Sequence, residues 1–310
     1  MGISTILMVV LGLCLFETVS SIDNAVINAE VLSTMQPKGR RWFLVWGLIL
    51  AVFLVRGLLP WLIIWSTNTS IGPWGAFMAA FSNDPHVKES IEIAAPILLA
   101  AGGVFLLFLF FHWLFAEDKN YGLPRVEQFF IKQGVWFYAV VSILLAFIVW
   151  QALPVNPLMA FGAVVGSTAF FITHGFKQNA ELKERTLKNK NMSDLSKIFY
   201  LEVIDATFSI DGVLGAFAFT LSVPLILIGN GLGALVVRQL TIGNIERIKK
   251  YVYLKNGAMY SILALGLIMV LDAFGAPIPD WVSPVITFVI VGFFFWKSHL
   301  AAQSIRRRAR

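Results

Sequence analysis

Two stretches of this chain place acids inside apolar runs. Residues 17–26 read ETVSSIDNAV, and residues 205–214 read DATFSIDGVL. Each pairs an acid with an aspartate six positions on: Glu17 with Asp23, and Asp205 with Asp211. Glu202 lies three residues before Asp205, on the same helix face. An ionised carboxylate at mid-bilayer costs about 2.5–3.5 kcal/mol on insertion scales. Five left unpaired would cost on the order of 10 kcal/mol, comparable with the stability of a whole domain. They demand protonation, an arginine or a bound cation. Arg56 and Arg238 are the two basic residues inside apolar segments, so they are candidate charge partners for two acids at most. A divalent cation neutralises two more, and a buried carboxylate that holds its proton can carry it.

The ligands on offer are oxygens: the five carboxylates, the carboxamide of Asn24, and secondarily Asn28, Asn230 and Glu92. Such donors suit magnesium, calcium and manganese, whereas zinc and copper favour imidazole and thiolate. The four histidines are scattered, and His112 and His174 read as interfacial. One cysteine, Cys14, excludes an internal disulfide framework and a thiolate cluster. Six residues turn a regular helix by about 600°, leaving each acid pair about 120° apart. Convergence on one ion therefore calls for unwinding. Serines, Asn24 and Gly212 beside the aspartates predict breaks near Ser20–Asn24 and Ser209–Gly212. The plainer reading, in which the acids only bridge helices, stays open and weighs most on Glu202. GNGLG at 229–233 has no preceding strand and lies in an apolar run, so it reads as close helix packing.

The elements that must position these groups are membrane helices. The chain has 310 residues, 58% hydrophobic and 14% charged, against about 25% charged in a soluble domain. Nine apolar segments are expected, at about 3–34, 42–65, 91–115, 134–152, 157–175, 198–221, 223–240, 254–274 and 281–299. The N-terminal run has no basic flank and no small-residue cleavage site, so a retained first helix is expected. Of the 24 lysines and arginines, nearly all fall in loops on one side of a nine-span chain, with Lys88 alone on the other. The basic side is expected to be cytoplasmic, which puts the N-terminus outside and the C-terminus inside a cell membrane.

The two acidic stretches also define a repeat. FLVRGLL at 53–59 resembles ALVVRQL at 234–240, aligning Arg56 with Arg238. Segments 1–3 and 6–8 then recur in opposite orientation, the inverted topology of many secondary transporters. The expected fold is all-α: a polytopic membrane bundle of about nine helices with an inverted three-helix repeat. Its expected parts are 1–116 (first repeat), 117–197 (inserted hairpin and cytoplasmic loop), 198–275 (second repeat) and 276–310 (last helix and basic tail).

At ETVSSIDNAVINA and DATFSIDGVLGAF, and again at IGNGLGALVVRQL with YVYLKNGAMYSILALGLIMVL, the chain resembles the TerC family of integral membrane proteins. The likeness covers segments 1–3 and 6–8. It implies metal-ion homeostasis, notably manganese export, and an association with tellurite resistance. It carries a cation-site role onto Glu17, Asp23, Asn24, Asp205 and Asp211. The sequence departs from the family at Gly266-Leu267-Ile268-Met269, where a G-V-K-M stretch is common, and in its extra helices.

The expected function is a secondary transporter that exports a divalent cation, manganese foremost, with proton exchange as the drive, since no phosphate-binding GxxxxGK[ST] motif occurs. It is expected to be no enzyme. Its expected partners are the lipid bilayer and the metal ion, without nucleic acid. A membrane-embedded metal-dependent enzyme and a scaffold of a metal or tellurite stress response are the rivals; the oligomeric state stays open.

Overall fold

Runs of about twenty apolar residues leave a backbone no partner but itself, so they form helices. In a computed structural model, residues 2–47, 49, 50, 58, 61, 65, 72–80, 85–187, 193–243 and 250–308 are described. Every regular element among them is helical. They are α1 (Ile3–Ser20), α2 (Ile22–Ser33), α3 (Pro37–Trp42), α4 (Gly72–Ala80), α5 (Pro85–Ala116), α6 (Pro124–Ile131), α7 (Phe137–Ala152) and α8 (Pro157–Leu187). Then come α9 (Asp194–Ala216), α10 (Val223–Gly243), α11 (Leu254–Ala273) and α12 (Val282–Arg308). A π-helical turn, Phe43–Gly47, follows α3, and a 3-10 turn, Gly134–Trp136, precedes α7.

Among the described residues, seven helices are long and apolar enough to cross a membrane: α1, α5, α7, α8, α10, α11 and α12. The chain is a multi-pass helical bundle. The two other expected segments have separate reasons for standing outside this set. Residues 42–65 lie mostly outside the described residues, while 198–221 falls on α9, a 23-residue helix loaded with acids.

The bundle is organised around α5. Its span, Ile93–Ala116, is 67% buried, against 22% for those of α7 and α12. Glycines permit this burial. A Cβ at Gly103 would sit 3.0 Å from the carbonyl oxygen of Gly266, and one at Gly266 would sit 3.2 Å from that of Gly103, so α5 and α11 cross backbone to backbone. On the other flank, Gly162 and Gly166 of α8 press on the carbonyls of Ile97 and Ala101. GNGLG does the same for α10: Gly229 meets Leu13, and Gly233 meets Glu17 and the carbonyl of Cys14. The helix-packing reading of that stretch holds.

Polar groups fix the ends. Glu127 of α6 is fully buried and accepts from the backbone N–H of Leu123 (2.9 Å), Asn256 Nδ2 (3.1 Å) and Tyr260 Oη (3.2 Å). Lys119 donates to the carbonyls of Trp113 and Leu114, capping the C-terminus of α5. Burial pulls the Lys119 ammonium down to about 8. Near the start of α9, the buried Lys197 donates to Thr34 Oγ1 at 2.9 Å, and Asp194 accepts the N–H of Gln36. These contacts tie the beginning of α9 to the end of α2, so the two helices run antiparallel. Eight residues up α9 and ten back along α2, at 1.5 Å per residue, Asp205 and Asn24 arrive at the same level.

A buried carboxylate and carboxamide cavity

Between α1 and α2 the backbone bends at Ser21 (φ −91°, ψ 5°). The bend is slight. The N–H of Ser21 still bonds the carbonyl of Glu17 at 3.1 Å, and the N–H of Ala25 bonds that of Ser21 at 2.9 Å. The two helices therefore keep a common angular register. Residues spaced by four, seven and eleven share a face, and that stripe is Glu17, Ser21, Asn24 and Asn28. All four line one cavity.

The opposite walls come from α9 and α10. Asp205 enters from α9, and Ala234, Val237, Arg238 and Thr241 from α10, spaced for one face. Phe43, Leu44 and Gly47 of the π-helical turn line a further side. The cavity holds about 60 Å³. One water needs about 10–15 Å³ by such a measure, so the space suits an ion with a few waters.

Glu17 is 1% exposed and Asn24 is 4% exposed. Ser21 Oγ donates to Glu17 Oε1 at 2.8 Å, and Asn24 Nδ2 donates to Asp205 Oδ1. Each bond turns a donor toward a carboxylate. Asn24 Oδ1, Asn28 Oδ1 and Glu202 Oε1 are buried and accept no hydrogen bond among the described residues. A buried acceptor without a donor costs about 1–3 kcal/mol, so three together are a site seeking a donor or a cation. Arg238 Nε is likewise buried and unbonded among the described residues, and it supplies positive charge on the cavity wall.

Not every candidate gathers here. Glu202 lies one turn before Asp205, with its carboxylate against Gly47 at the cavity's edge. Asn230 is fully buried on α10, and neither amide atom has a partner among the described residues, but it does not line the cavity. Asp211 points elsewhere: its Oδ2 is 2.5 Å from Nζ of Lys177 on α8. The side chains of Asp23 and Glu92, and all of Arg56, lie outside the described residues.

The expected break at Ser209–Gly212 is absent, because α9 runs unbroken to Ala216. Gly212 serves proximity instead. A Cβ there would lie 2.7 Å from Glu17 Oε2, so the missing side chain lets α9 approach the Glu17 carboxylate. The sequence reading passed over Thr241, although its position three residues after Arg238 puts it on the same face. Lys177 as the partner of Asp211 carried no sequence signal, since 34 positions separate them.

Chemically, two carboxylates, two carboxamides, two hydroxyls and one guanidinium make a hard-oxygen environment with net negative charge. Among the described residues, no three His, Cys, Asp or Glu side chains gather closely enough to hold a metal by themselves. An ion here would complete its shell with amide oxygens and water, as magnesium, calcium and manganese do.

One family model, described as protein of unknown function (DUF475), matches residues 22–305. No curated protein and no solved structure matches the chain.

Proposed function

Because the chain belongs to the DUF475 family along most of its length and forms a multi-pass bundle, we propose that it is a secondary transporter for a divalent cation, manganese foremost. The observation that carries the reading is the set of buried oxygens without donors, Asn24 Oδ1, Asn28 Oδ1 and Glu202 Oε1, at or beside a cavity that also holds Glu17 and Asp205. A scaffold whose acids are merely paired off predicts saturated acceptors.

The site is assembled from the two motif-bearing stretches, α1–α2 on one side and α9–α10 on the other. This supports alternating access in which two halves rock about a central ion. The resemblance of those stretches to TerC proteins supports manganese as cargo and export as direction. Basic loops on one side support an outside N-terminus and a cytoplasmic C-terminus.

The test is flux. Purified protein in liposomes, loaded with a manganese-quenched dye, is expected to pass manganese, and Glu17→Gln is expected to slow it at least about tenfold. Equal flux through wild type, Glu17→Gln and protein-free liposomes removes the proposal.

A further inference from the structure

Away from the cavity, a second titratable cluster joins four helices. His112 of α5 and His174 of α8 are in ring contact, with centroids 4.0 Å apart. His112 Nδ1 is buried, has no closer partner among the described residues, and lies 3.6 Å from Glu117 Oε1. Glu117 Oε2 accepts a 2.9 Å ion pair from Lys255 at the start of α11. Burial alone would raise the Glu117 carboxyl, but the His112 contact and the Lys255 charge outweigh it and hold the group well below the usual carboxylate range. One turn beyond His174, Lys177 carries the 2.5 Å pair to Asp211 of α9. Asp211 adjoins Gly212, which rests against Glu17 of the cavity. From α7 only aromatic rings reach this cluster among the described residues: Phe137 meets His112 edge-on at 5.4 Å.

Two imidazoles in contact cannot both charge without repulsion, and the Glu117 carboxylate beside them favours one charge. Phe170 stacks on His174 at 5.7 Å and 8°, a ring face suited to a cation. Histidine is the side chain whose ordinary proton affinity falls in the physiological range.

We propose that His112 and His174, with Glu117, form a single shared proton-loading site, coupled through Lys177–Asp211 and Gly212 to the Glu17 wall of the cation cavity. This rests on the transport reading and assigns its counter-ion. A proton on the histidine pair adds positive charge one turn from Lys177, whose partner Asp211 borders the wall facing the cation. Proton loading therefore opposes cation occupancy, which is the antagonism that exchange requires. The proton comes from solvent, rests on an imidazole nitrogen and returns to solvent. No bond between heavy atoms changes.

Two measurements test this. In full-length protein with 15N-labelled histidines, assigned through His112→Gln and His174→Gln, the pair is expected to take up one proton, shared between the two rings, and not two. Glu117→Gln is expected to move that uptake down by about one pH unit. In liposomes with an internal pH dye, a manganese gradient is expected to drive proton movement. His112→Gln/His174→Gln is expected to cut that movement at least about tenfold while manganese binding persists. Two imidazoles that titrate independently and ignore Glu117→Gln overturn the shared site. Wild-type proton movement in the double variant overturns the coupling. If wild type passes no manganese, the transport reading fails by itself and the imidazole titration still decides the site. If the double variant does not fold, Glu117→Gln, whose side chain is 31% exposed, carries both measurements.

Discussion

Asp205 and Asp211 are the two acids of one motif, yet they face different partners. That contrast makes the sharpest prediction. Asp205 lines the cavity and accepts from Asn24, whereas Asp211 is 2.5 Å from Lys177. Replacing Asp205 with Asn keeps size and an amide oxygen for Asn24 to donate to, so the fold survives and one negative charge leaves the cavity. A charged ligand contributes about 1.5–3 kcal/mol more than none, which is about 10- to 150-fold in dissociation constant. Asp211→Asn removes no cavity ligand. Its cost falls on stability: a buried pair broken on one side loses about 3–5 kcal/mol, less here because both side chains keep some contact with solvent. Manganese binding to detergent-purified protein, read as loss of the free-ion electron paramagnetic resonance signal, separates the two. Asp205→Asn is expected to weaken binding by that factor in protein that still folds. Asp211→Asn is expected to bind as wild type and melt lower. The reverse pattern, with Asp211→Asn abolishing binding and Asp205→Asn harmless, refutes the cavity as the cation site.

Further outcomes follow from other contacts. Gly166→Leu drives a side chain into the carbonyl of Ala101, and overpacking of this kind costs about 1–3 kcal/mol, so a lowered melting temperature in detergent is expected, with Gly292→Leu, which meets open space, as the neutral control. Glu127→Leu strands the buried donors of Leu123, Asn256 and Tyr260 and is expected to destabilise by at least about 3 kcal/mol, whereas Glu127→Gln retains an acceptor and loses less; chemical denaturation ranks the two. Glu117 is held below its ordinary value of 4.5, so its contribution to stability is present above that pH and fades as pH falls below it. The melting temperature of wild type is therefore expected to fall more steeply than that of Glu117→Gln as the pH drops from about 5 toward 3, and parallel curves would refute this.

The apolar run lengths were enough to show a polytopic helical bundle, because a chain segment in lipid must satisfy its backbone internally whatever its neighbours. The acids were legible for a related reason: a carboxylate in an oily run is costly enough that its presence needs a compensating partner. Which acids share a site was not legible. The sequence suggested breaks at both motifs; the first is a one-residue interruption at Ser21 between α1 and α2, and α9 does not break. With helical register retained, Glu17 is grouped with Asn24 and Asn28, seven and eleven residues on, while Asp211 turns toward α8. The meeting of His112 with His174 follows the glycines that let α5 and α8 touch backbone to backbone, and that of Asp211 with Lys177 joins α9 to α8 across 34 positions of sequence. Local periodicity places a side chain on a face of its own helix. Only close packing between helices, set by the shapes of both surfaces at once, decides what that face meets.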